Sequence, residues 1–160
     1  MPSISLSKVI EKMNCENLTP EIDISKIKVN QPDINRPALQ MAGYFEHFDA
    51  TRLQVIGFVE YSYMLSLDKT VQLAHYEQFL SNPIPGVVFC RELQPDDLFR
   101  EIAVRHGVPL LMSKKKQQML RQFKQQFQKM LLRNLLLLRL KFQKRNPKKR
   151  LNIRSREISL

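Results

Sequence analysis

Apolar residues along this chain switch between two spacings, and the switches mark its elements. Leu6, Val9, Ile10 and Met13 fall on one face at steps of three and four, so a helix is expected over 5–13, with Ser5 or Ser7 as its cap. Asn, Thr and Pro make 14–20 a turn. Ile22, Ile24, Ile27 and Val29 alternate with polar residues apart from one slip near Lys26, which predicts a half-buried strand over 22–29. Pro37 opens a helical pattern through Leu39, Met41, Ala42, Phe45 and Phe48, and Gly43 inside it implies close packing against a neighbour. The β-branched and aromatic run over 53–61 predicts a strand, with Gly57 as a bulge or a close backbone approach. Helical spacing returns over 65–80 and stops at Asn82-Pro83-Ile84-Pro85-Gly86.

The continuous apolar run 87–90 suits a strand covered on both faces. A helix follows with full punctuation: Pro95, Asp96 and Asp97 at its start, Arg105 and His106 in its last turn, Gly107 as its stop. Residues 108–112 read as a short strand. Alternating helices and strands predict an α/β domain over 1–112, a small parallel or mixed sheet with helices packed on it. From Ser113 the composition shifts to Lys, Arg, Gln and Leu. Met119, Leu120, Phe123, Phe127, Met130 and Leu131 predict a basic amphipathic helix over about 117–144, and the last ten residues suit a disordered tail.

Charge divides the chain at the same place. Residues 1–112 hold ten Lys+Arg against 14 Asp+Glu, a net −4, whereas 113–160 hold 16 against Glu157 alone, a net +15, together +11. The basic runs are Lys114-Lys115-Lys116 and the segment containing Lys148, Lys149 and Arg150. They would neutralise nucleic-acid phosphates without reading bases, or meet an anionic membrane surface. The most apolar window, 131–140, is broken by Arg133, Asn134 and Arg139 and is short of the roughly 20 residues a span needs. The first residues lack the basic start and apolar run of a signal peptide, and Cys15 and Cys90 suggest no disulfide framework, so a cytoplasmic setting is expected.

Candidate chemistry is sparse. Asn35-Arg36-Pro37 at a helix start could hold an anion through free N–H groups and the Arg36 guanidinium, or could be a cap with Arg36 in a structural ion pair. His47, His75 and His106 are scattered, and the carboxylate pairs Glu46/Asp49 and Asp96/Asp97 lack metal or acid–base partners at a telling spacing. Gly43, Gly57, Gly86 and Gly107 are the four glycines, and no two of them make a G-x-x-x-x-G-K-[ST] phosphate loop. No catalytic, cofactor or metal residue is assigned.

Four strings in order carry a resemblance: Leu18-Thr19-Pro20-Glu21-Ile22-Asp23-Ile24-Ser25-Lys26-Ile27, Pro32-Asp33-Ile34-Asn35-Arg36-Pro37-Ala38-Leu39-Gln40, Val55-Ile56-Gly57-Phe58-Val59-Glu60-Tyr61 and His106-Gly107-Val108-Pro109-Leu110-Leu111. They resemble the N-terminal domain of HPr kinase/phosphorylase from about Ser5 to Met112. The resemblance implies an α/β domain similar to the first domain of peptidoglycan-precursor ligases. The implied setting is bacterial carbon catabolite control, where the family enzyme phosphorylates a serine of the carrier HPr and removes that phosphate. ATP, Mg²⁺ and HPr would be handled by the family's C-terminal domain. The expectation for this chain is a non-catalytic regulatory or assembly domain whose partners are further copies of itself or an intact family enzyme. A nucleic-acid-binding protein acting through the basic tail is the alternative. The change after Met112 is read as an out-of-frame segment or a genuine extension.

Overall fold

The computed structural model describes residues 3–114 and 119–145. The elements in chain order are β1 (Ile4–Ser5), α1 (Leu6–Met13), β2 (Glu16–Asn17), β3 (Lys28–Val29), β4 (Ile34–Asn35), α2 (Ala38–Met41), β5 (Leu53–Ile56), α3 (Phe58–Ser66), α4 (Lys69–Leu80), β6 (Val87–Phe89), α5 (Asp97–His106), β7 (Leu110–Met112) and α6 (Met119–Arg145). The main sheet has five strands in the order β2-β7-β6-β5-β4. Its four strands β4 to β7 run parallel, with Val55 opposite Val88 and Val88 opposite Leu111, and β2 adds an antiparallel edge on β7. A two-stranded ribbon pairs β1 with β3.

Both faces of the sheet are covered, and strand side chains alternate between them. Ile56, Val87, Phe89 and Leu110 point to a core built with Met41, Met64, Tyr76, Phe79, Phe99 and Ile102 from α2 to α5. Leu53, Val88 and Leu111 point to a second core with Leu6 and Val9 of α1, Val29 of β3 and Phe127 of α6. A mixed α/β sheet with helices packed on it is thus the architecture, as the alternation predicts. Phe127 is fully buried, Met130 and Leu131 pack beside it, and Lys124 pairs with Asp33 at 2.6 Å. Packing therefore continues through Leu131, past the compositional boundary at 112. The tail expected after Arg145 lies outside the described residues.

Several elements are shorter or differently placed than the sequence predicts. The strand expected over 22–29 is confined to Lys28–Val29. The Asp23 carboxylate accepts the Ser25 N–H at 3.0 Å, and this side-chain turn takes the backbone away from a ladder. Within the predicted turn 14–20, Glu16–Asn17 is a strand, and Thr19 Oγ1 accepts the Leu110 N–H at 3.0 Å. The helix expected from Asn35 onward is one turn, Ala38–Met41, because Asn35 belongs to β4 and Gly43 leaves the helix with a φ of +87°. The strand over 53–61 stops at Ile56, and Phe58–Ser66 is helical despite its β-favouring residues. Residues 65–80 divide at Leu67 and Asp68 into the end of α3 and the start of α4.

Candidate functional site

Parallel sheets gather functional groups beyond the carboxyl ends of their strands, where loops leave for the helices. Here that edge brings together Asn35 and Arg36 after β4, Gly57 and Glu60 after β5, and Cys90, Arg91 and Glu92 after β6. Glu60 is the centre of the group and is only 3% exposed. One terminal nitrogen of Arg36 donates to its Oε2 at 2.8 Å and lies 2.6 Å from its Oε1, and the Gly57 N–H donates to Oε2 at 3.0 Å. The β5–Gly57–α3 turn is thereby tied to the strand next to it. Asn35 Nδ2 donates to Gln54 Oε1 at 2.7 Å, and Gln54 Nε2 donates to the Arg52 carbonyl at 2.8 Å, so a fully buried amide is satisfied on both ends.

The neighbouring thiol is not set up as a nucleophile. Burial pushes Cys90 up, an effect that Glu60 reinforces and that Arg36 and Arg91 only partly oppose. Arg91 and Glu92 follow it with φ of 59° each, two adjacent non-glycine residues in the left-handed region, which costs about 1–2 kcal/mol per residue. The cluster's evident work is mechanical: it closes the carboxyl edge of the sheet and fixes where α3 departs.

The remaining singled-out residues have structural partners. Asp96 caps α5 through the Phe99 N–H at 2.9 Å and also accepts the Tyr76 hydroxyl at 2.8 Å. Burial, then that hydrogen bond, raises Tyr76 far above an ordinary phenol. His106 Nε2 lies 2.7 Å from Glu77, which also pairs with Arg105. His75 Nδ1 sits 2.7 Å from the Met41 carbonyl. His47 lies 3.6 Å from Glu46, Tyr44 donates to Glu46, and Asp49 accepts from Thr51 and Arg52. Among the described residues no three His, Cys, Asp or Glu side chains converge as metal ligands. Lys114 is exposed, while Lys115, Lys116, Lys148, Lys149 and Arg150 lie outside the described residues.

Sequence reasoning singled out Asn35 and Arg36 and missed Glu60 and Gln54. The Gly57-x-x-Glu60 spacing is that of a helix-capping pair and was the available signal. Nothing local connects Arg36 with a carboxylate 24 positions on.

An α/β domain whose carboxyl edge is tied by the Arg36–Glu60 pair is the class that the structure defines. The sequence profile described as HPr Serine kinase N terminus matches residues 4–131, and the chain belongs to that family. The HPr kinase/phosphorylase of Lachnoclostridium phytofermentans is 46% identical over 115 residues, 72% of this chain and 37% of that protein. The one from Caldicellulosiruptor bescii is 35% identical over 107 residues, 67% of this chain and 34% of that protein. The chain thus spans about a third of the length of these curated relatives. Among solved structures, the CBS and DRTGG domains of the regulatory region of Clostridium perfringens pyrophosphatase, complexed with the activator diadenosine tetraphosphate, share the fold. The TM-score is 0.50 at 11% identity, over 75% of this chain and 45% of that one.

Proposed function

We propose that this chain acts as a regulatory and assembly domain of an HPr kinase/phosphorylase-type protein in bacterial carbon catabolite control and does not itself transfer phosphoryl groups. The observation that carries the reading is the family match over residues 4–131, in a sequence of 160 residues without a phosphate-loop pattern. Phosphoryl transfer needs backbone amides that cradle phosphate and groups that hold Mg²⁺, and catalysis there is mainly positioning and charge stabilisation. In the relatives, ATP, Mg²⁺ and HPr would then engage the two thirds of the protein that this chain does not match. Its own partners are further copies or an intact family enzyme in the cytoplasm. Arg36, exposed at the carboxyl edge, and the half-buried Asn35 before it belong to the proposed contact surface. The kinship with the first domain of peptidoglycan-precursor ligases is part of the same reading.

Incubation of the purified chain with HPr, ATP and Mg²⁺ tests it. The expected result is no phosphoserine on HPr above a protein-free control. Phosphoserine formed by this chain alone overturns the reading. Co-purification with an intact relative is the expected sign of the assembly role.

A further inference from the structure

α6 carries apolar residues past the turns that pack on the domain. In its first half Phe127, Met130 and Leu131 face the domain and pack into the second core. At 100° per residue, Leu132, Leu136 and Leu140 lie on the side away from Phe127, while Leu135, Leu138 and Phe142 continue nearer its own side beyond the packed turns. These side chains are exposed, with Leu132 at 66%, Leu136 at 58%, Leu138 at 57% and Phe142 at 56%. Toward the domain, Arg133 and Asn134, with Met130 and Leu137, line a groove of about 350 Å³ against Lys8, Glu11 and Lys12 of α1. The second half thus offers leucines to the outside.

We propose that this outer face of α6 lies on an anionic lipid surface. Two observations select that occupant. Residues 119–145 hold eight Lys+Arg and no acidic residue, so a second α6 laid against the first would bring like charges together. Nucleic-acid phosphates would use the bases and leave the leucines in water, whereas a lipid bilayer accepts both. Arg139 and Lys144, which flank the side of Leu132, Leu136 and Leu140, have stems long enough to reach headgroup phosphates while leucines enter the acyl boundary. No helix among the described residues is long and apolar enough to cross a membrane, so the helix lies along the surface.

Co-sedimentation of the full chain with vesicles tests this. Phosphatidylcholine vesicles containing phosphatidylserine are expected to carry the protein down at low salt, and phosphatidylcholine alone to carry about tenfold less, since each basic residue near an anionic surface adds attraction. Leu136→Glu with Leu140→Glu, both at exposed positions and checked for an unchanged circular dichroism spectrum, should lower binding about tenfold. Unchanged binding by that double variant overturns the proposal, as does absence of binding to the anionic vesicles. A lipid-free dimer that the double variant converts to monomer assigns the face to self-association instead. Salt-sensitive duplex binding that survives the double variant, without vesicle binding, assigns the bases to nucleic acid; either outcome overturns the proposal.

Discussion

Gly43 and Gly107 both hold positive φ, +87° and +69°, but their surroundings differ. A Cβ at Gly43 would stand 2.9 Å from His75 Nε2, on a ring whose other nitrogen is hydrogen-bonded to Met41, whereas one at Gly107 meets nothing within 4 Å. Alanine at Gly107 therefore carries only the left-handed backbone cost, about 1 kcal/mol, and alanine at Gly43 adds a displaced His75, for about 2–3 kcal/mol. Urea unfolding of the two variants should show that order, and equal losses would deny the contact. The packing at Gly43 was legible because a glycine in an apolar pattern implies a close neighbour; its role as a helix end was not, since nothing local distinguishes a stop from a tight contact. At Glu77, the His106 hydrogen bond, then Arg105, holds the carboxyl below its ordinary value of 4.5. A lowered folded-state value means that this contribution is present above the unfolded value and lost as pH falls through the folded one. The stability difference between the parent and Glu77→Gln should accordingly be constant near neutrality and shrink below about pH 4.5, the ordinary carboxyl value.

Among the elements, α5 was fully legible. Its signals are local: Asp96 accepts the Phe99 N–H, Arg105 and His106 stand in the last turn, and Gly107 takes the left-handed stop. The run from Leu53 to Tyr61 was misread for the opposite reason. Its β-favouring residues belong to a strand only as far as Ile56, and beyond it the Glu60 carboxylate, bound to Arg36 just after β4, receives the Gly57 N–H and starts a helix. Tertiary pairing outweighs propensity there. β2 was invisible because two residues carry no rhythm. Asp96 joins two elements, capping α5 and accepting from Tyr76 of α4, so Asp96→Ala should cost about 2 kcal/mol, more than the roughly 1 kcal/mol of a lost cap, and Tyr76→Phe about 1 kcal/mol. In a double-mutant cycle by urea unfolding the two losses should fall short of additivity; full additivity would separate the hydroxyl from the cap.

The whole molecule is a sheet between two cores, and the second core decides how far the folded unit extends. Composition places a boundary at 112, because charge and residue usage change there; packing does not stop there, because Phe127 completes the layer formed by Leu6, Val9, Val29, Leu53 and Leu111. Strand order was equally beyond local reading, since the parallel pairs β4–β5, β5–β6 and β6–β7 join segments separated by whole helices. If α6 is part of the domain, Phe127→Ala should cost about 3 kcal/mol, the usual range for emptying a buried aromatic site, while Leu136→Ala, on the same helix but exposed, should change stability by less than about 0.5 kcal/mol. A helix lying free of the domain would make the two substitutions equivalent. The same logic orders two truncations: a chain ending at 131 keeps Phe127 in place and should unfold at nearly the urea concentration of the full chain, whereas one ending at 114 bares the apolar surface of α1, β3 and β7 and should unfold at a clearly lower one. Coincident transitions for the two truncations would return the boundary to 112.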